Sequence, residues 1–148
     1  MFTPEFWNYA TFTDFAKQNN KSFSPGTMGI LTQPYLPLFN DFPTEYCSNW
    51  QWWSIMKNSR PLILDGTKKN YRPLVQVIDN INRNHKLGLI FEFTVGKGKL
   101  LVCTANLPSI TDKPEACQLY SSILKYMNSE KFNPSEEISS DELIKLLY

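Results

Sequence analysis

The chain has 148 residues, with 15 Lys and Arg against 14 Asp and Glu, for a formal net charge of +1. That length suits one domain with a continuous core, and the balanced charge excludes an electrostatic pull toward nucleic acid or an anionic membrane. Apolar residues make up 42% and aromatics 14%, which excludes a disordered chain but leaves open whether the rings fill a core or form a stacking surface.

In chain order, Thr3-Pro4-Glu5 predicts a helix start, because Thr caps and Pro is tolerated at the first helical position. Phe6, Trp7, Ala10, Phe15 and Ala16 give that helix an apolar face. Ser24-Pro25-Gly26 reads as a turn and residues 28–32 as a short strand. The stretch Q-P-Y-L-P-L-F-N-D-F-P-T follows, and its prolines exclude a regular helix or a central strand. It is expected to be an ordered loop pinned by Tyr35, Leu38 and Phe39.

The middle of the chain reads as strands: residues 49–56, 61–64, 74–78, 87–95 and 99–104. Gly96-Lys97-Gly98 between the last two is a hairpin signal, since Gly adopts positive φ without strain. Leu89, Phe91, Phe93 and Val95 are expected on one face of the first arm, with Ile90, Glu92 and Thr94 on the other. Asp112-Lys113-Pro114-Glu115 predicts a capping box, and Ala116, Leu119, Tyr120, Ile123, Leu124 and Met127 follow at helical spacing. A second box, Ser139-Ser140-Asp141-Glu142, opens a short helix carrying Leu143, Ile144, Leu146 and Leu147. The expectation is one α/β domain over residues 1–148, a mixed sheet flanked by the amino-terminal helix and the helix near residues 113–128.

Few residues carry obvious chemistry. Cys47, Cys103 and Cys117 are odd in number and far apart, which argues against a zinc ribbon or a disulfide scaffold. No apolar run is long enough for a membrane span, and the first residues show no signal-peptide pattern. Periplasmic or exported placement would then depend on a signal peptide in a longer parent chain. G-K-G-K at residues 96–99 lacks the following helix of a phosphate loop and is expected to be a hairpin turn. His85, the single histidine, lies in the polar connection N-I-N-R-N-H-K and is expected to be a surface or loop-anchoring residue. Asp65, Asp79, Glu45 and Glu92 are the carboxylates near strands, but none sits in a catalytic motif. Neither a metal site nor a cofactor is expected.

The segment S-N-W-Q-W-W-S at residues 48–54 holds three of the four tryptophans. On a strand, Trp50 and Trp52 would share one face while Gln51 and Trp53 share the other, so only part of the cluster could stack on a ligand. An indole offers an apolar plane to the C–H face of a sugar and an N–H at its rim, yet it equally fills cores and interfaces.

Several blocks resemble one family. N-W-Q-W-W-S-I, S-R-P-L-I-L-D-G-T, Y-R-P-L-V-Q-V-I-D-N, the run from R-N-H-K-L-G-L-I-F-E-F through V-G-K-G-K-L-L-V-C, and D-K-P-E-A-C-Q-L-Y-S-S-I-L-K-Y-M are similar to the carboxy-terminal region of gut-bacterial family 2 glycoside hydrolases, β-galactosidase-like proteins with a sugar-binding domain. F-W-N-Y and S-P-G-T-M-G-I-L-T extend the resemblance over nearly the whole chain. The catalytic (β/α)₈ barrel of that family needs about 250 residues, so this chain does not contain one. The family's acid/base glutamate follows an asparagine, and no Asn-Glu pair occurs here, so no catalytic residue carries over. The order of strands and helix also resembles the later half of a glutamine-amidotransferase-like (flavodoxin-like) domain, without its nucleophilic Cys elbow.

The resemblance implies a non-catalytic accessory domain of a carbohydrate-degrading enzyme. Its expected partners are the catalytic part or an identical subunit, with carbohydrate contact, no nucleic acid and no membrane span. For a glycan, Trp50, Trp52 and Trp53 are the stacking candidates and Asn49, Gln51, Asp65 and Arg72 the hydrogen-bonding ones. One rival is a bare protein-interaction domain. The other is an independent glycosidase using Asp79, Glu92 or His85, which requires two such groups to converge in one cleft.

Overall fold

The longest strand organises the molecule. The computed structural model describes residues 29–79 and 84–147, so the expected amino-terminal helix and the turn at Ser24-Pro25-Gly26 lie outside the described residues. Five strands form one sheet: β1 (Ile30–Thr32), β2 (Leu62–Ile63), β3 (Val75–Ile78), β4 (Lys86–Val95) and β5 (Gly98–Cys103). β4 is the hub, and all four strand pairings are antiparallel. At Ile90, β4 is flanked by Val75 of β3 and by Cys103 of β5. At Gly88 it is flanked by Gln76 of β3 and Leu62 of β2. β2 and β5 therefore lie end to end along the same side of β4, and β1 pairs with the far side of β3. Beyond β3, the backbone of residues 136–138 takes over: Thr94 donates to Glu136 and accepts from Ile138, forming an isolated parallel bridge.

The β4–β5 hairpin forms where the Gly-Lys-Gly signal stands, with Gly96 at φ 57°. The expected alternation along β4 fails halfway. The β3–β4 register slips between Val75 and Gln76, which face Ile90 and Gly88, leaving Leu89 as the extra residue of a bulge. Leu89 and Ile90 consequently pack into the same cluster, and only Phe91, Phe93 and Val95 reach the opposite one. Both faces of the arm carry apolar residues, so the sequence gives no alternation that could locate the bulge.

Among the described residues there are three α-helices: α1 (Trp53–Lys57), α2 (Pro114–Met127) and α3 (Ser140–Leu147). α2 buries Ala116, Leu119, Ile123 and Tyr126 against the sheet, while Tyr120, Leu124 and Met127 remain exposed on its outer edge. Its start differs from expectation. The N-cap is Lys113, without a side-chain cap, and Asp112 spends its carboxylate on the Lys113 ammonium at 2.9 Å. The second box forms as expected: Ser139 N donates to Glu142 Oε2 at 2.9 Å and Glu142 N donates to Ser139 Oγ at 3.2 Å.

The proline-rich stretch is an ordered loop with one 3-10 turn, Pro37–Phe39. Leu38, Phe39 and Phe42 are buried, whereas Tyr35 is exposed and reaches only Gln33, two residues away. Ser122 of α2 donates to the Leu38 carbonyl at 2.5 Å and so ties the loop to the helix. The sheet thus has two unequal sides. One is covered by this loop, α1 and α2, and the other by α3 with Ile138 and Tyr71.

Candidate functional site

Residues 49–56 are not a strand. Asn49 caps a 3-10 turn, Trp50–Trp52, by accepting from the Gln51 amide at 3.2 Å, and the turn runs directly into α1. Helical spacing then sorts the side chains: Trp52, Ile55 and Met56 point into the core, while Trp50 and Trp53, three apart, stay outside together. The sequence held this signal, since 52, 55 and 56 is a helical triplet, but the aromatic residues read as strand formers.

Trp52 is 0% exposed, its ring meets Phe42 edge-on at 5.2 Å, and its Nε1 donates to Thr44 Oγ1 at 2.8 Å. A buried indole with its N–H satisfied is a structural group and has no surface for a ligand. Trp50, 85% exposed, meets Trp53, 39% exposed, at 6.1 Å and 67°. Lys57 Nζ lies 5.6 Å from the Trp53 ring centre. Ser48, Asn49, Trp50, Trp53 and Met56 border an open hollow of about 310 Å³, with Trp52 behind it.

The expected polar neighbours divide. Asn49 lines the hollow. Gln51 is turned to the preceding loop, where its Nε2 donates to the Pro43 carbonyl at 2.8 Å. Asp65 and Arg72 are elsewhere. Asp65 follows β2, with its Oδ2 2.6 Å from His85 Nδ1 and its Oδ1 accepting from the Lys86 amide at 2.7 Å. Burial alone would raise the Asp65 pKa, but these bonds from His85 and Lys86 outweigh it and hold it below the usual range. Arg72 lines a separate, polar hollow with Glu92.

His85 anchors its loop, as expected: besides the Asp65 contact, its backbone amide donates to Asp79 Oδ2 at 3.0 Å. Asp79 is only 7% exposed, both oxygens of Asp65 already accept hydrogen bonds, and Glu92 belongs to the other hollow. Asp65 and Asp79 thus both meet His85, one at its ring and one at its backbone amide, while Glu92 stands apart from all three. Among the described residues, no three His, Cys, Asp or Glu side chains come together as a metal site, and no helix is long and apolar enough to cross a membrane. The three cysteines are free, and burial pushes the Cys103 thiol up to about 11.

Over the described residues, fold and site together define five antiparallel strands and three α-helices, with an exposed tryptophan pair on the rim. The chain belongs to a family described as a domain of unknown function, DUF8487, whose model matches residues 1–148. No curated protein matches it.

Proposed function

We propose that this domain is a non-catalytic accessory domain of a β-galactosidase-like, family 2 glycoside hydrolase, and that its Trp50–Trp53 face contacts carbohydrate. The resemblance of the sequence blocks supports the parent enzyme. The observation that carries the site is Trp50, 85% exposed and set at an angle to Trp53 beside a hollow of about 310 Å³. An indole left in water at that exposure contributes little to folding, and its face is open to a ligand. Two inclined rings suit the C–H faces of a sugar chain, and the Asn49 amide and Ser48 hydroxyl stand beside them for its hydroxyl groups. The amidotransferase-like comparison lends no support, because the strand pairings here are antiparallel and a flavodoxin-like sheet is parallel.

Tryptophan fluorescence titrated with galactosides and plant or mucin oligosaccharides tests the reading. A saturable change that disappears in Trp50→Ala and Trp53→Ala, with unfolding curves unchanged, is the expected result. A flat response across the panel rejects carbohydrate contact. The exposed Tyr120, Leu124 and Met127 of α2 favour a second reading, a docking face for the catalytic part. Co-purification of the domain with a separately expressed catalytic part, lost in Leu124→Glu, would establish it.

A further inference from the structure

The hollow that holds Arg72 differs in kind from the tryptophan rim. It encloses about 310 Å³ between the loop after β1, the approach to β3 and the chain ahead of α3. Its polar groups are largely unspent. Among the described residues, Arg72, Asn70 and Ser135 make no side-chain hydrogen bond or ion pair, and Gln33 uses only its carbonyl, accepting from the Tyr35 hydroxyl at 2.5 Å. Glu92 commits one carboxylate oxygen, Oε2, to the Tyr126 hydroxyl at 2.9 Å, which leaves Oε1 for another donor. Leu74 adds an apolar wall.

Donors and acceptors are therefore interspersed around one small space. The residues that line it carry a planar guanidinium, two amide groups, a hydroxyl and a carboxylate with one uncommitted oxygen. Adjacent hydroxyl groups on a ring, each able to donate and accept, match that mixture. A purely anionic ligand does not, because it would meet the Glu92 carboxylate, while Glu136 on the same rim is already neutralised by Lys68 at 2.5 Å. A cation would meet Arg72. We infer that the Arg72–Glu92 hollow binds a single neutral sugar ring, with Arg72 donating to adjacent hydroxyl groups, Glu92 accepting from one, and Leu74 beneath its C–H face. Glu92 is suited to such a shared role. Burial pushes its pKa up, only partly offset by the Tyr126 hydroxyl and by Lys99, so its carboxylate gains from an added donor. The assignment deepens the carbohydrate reading and rests on it for the ligand class, but it uses none of the tryptophans.

The test is an NMR titration of the ¹⁵N-labelled full chain with the methyl glycosides of galactose, glucose and mannose, and separately with glucuronate. The side-chain resonances of Asn70, Gln33 and the Arg72 Nε–H report this hollow, and the indole N–H resonances of Trp50 and Trp53 report the rim. The expected result is saturable movement of the first set by at least one neutral glycoside. Arg72→Met should weaken that binding about tenfold or more, as should Glu92→Gln, the effect of losing a hydrogen bond to a charged group. Trp50→Ala should leave it unchanged. The inference is overturned if no neutral glycoside moves the first set, or if the movement survives Arg72→Met in a protein that keeps its backbone spectrum. It is equally overturned if glucuronate binds more tightly than the neutral glycosides and tighter still in Glu92→Gln. Movement of the indoles alone would leave the rim reading standing and remove this one. Movement of the first set alone would do the reverse.

Discussion

The two sides of the sheet are built to different standards. Among the described residues, one side gathers 20 buried ones from the proline-rich loop, the Trp50–Trp52 turn, α1, α2, three strands (β1, β3 and β4), residues 105–110 and Phe132, centred on Trp52, Leu119 and Ile90. The other buries six, among them Phe91, Phe93 and Leu146, and closes with an eight-residue helix that buries a single side chain. A hollow of about 360 Å³ remains there, bordered by Ile63, Phe93, Glu136 and Leu146. Burial scales with apolar area, so the first side holds most of the folding free energy. α3 belongs to the low end of local stability, where opening precedes global unfolding. Both candidate sites combine residues outside the two cores, such as Trp50, Trp53 and Arg72, with a wall from the larger core, Met56 in one and Leu74 in the other.

Truncating the large core should do the most damage. Trp52→Ala removes a fully buried indole together with its edge contacts to Phe39 and Phe42, and should cost about 3–5 kcal/mol in urea unfolding. A loss below ~1 kcal/mol would mean that Trp52 is not the centre of that core. The small core offers an opposite kind of break. A Cβ at Gly88 would stand 2.5 Å from Leu64 Cδ1 and 2.8 Å from Phe91 Cδ1. Gly88→Ala should therefore destabilise by about 1–3 kcal/mol through overpacking. An unchanged midpoint would show that the small side yields without strain.

Ser139→Ala sharpens the comparison at α3. Removing the hydroxyl that accepts from the Glu142 amide should cost ~1 kcal/mol, and the loss should be local. Amides in residues 141–147 should exchange faster, while those of α2 keep their protection. Equal acceleration in both helices would mean that the two sides unfold as one unit. Trp50→Ala should change stability by no more than ~0.5 kcal/mol, because the ring is exposed. Its effect should appear in glycan titration instead, which separates it sharply from Trp52.

How much of this was legible depends on what each residue's neighbours in sequence reveal. The β4–β5 hairpin, the body of α2 and the α3 capping box follow from local chemistry: a glycine at a turn, apolar residues three and four apart, and a Ser–Glu pair. The tryptophan segment misled because bulky aromatics favour strands in general, while here Asn49 starts a turn that sets a helical period. The bulge at Leu89 was invisible, being a property of the β3 register and of the close approach of Leu64 and Phe91 to Gly88. Sequence could not separate Arg72 from the tryptophans either. Their placement in different hollows is a product of topology, with α1 and the start of β3 lying on different parts of the sheet.

The smallest expected effect concerns the contact where the loop before β4 meets the end of β2. Asp65 accepts from the Lys86 amide and lies against His85, and its pKa is held below the ordinary carboxylate value. A carboxylate with a depressed folded-state pKa adds stability above its unfolded value, near 3.9, and that stability is lost as pH falls through the folded pKa. Asp65 is half exposed, so the contribution is discounted to ~0.2–1 kcal/mol. Unfolding midpoints measured from pH 6 down to pH 3 should then fall slightly more steeply in the native chain than in Asp65→Asn. Parallel curves would show that Asp65 adds no pH-dependent stability. A variant that falls more steeply than the native chain would reverse the sign and place the net effect of burial above that of the two hydrogen bonds.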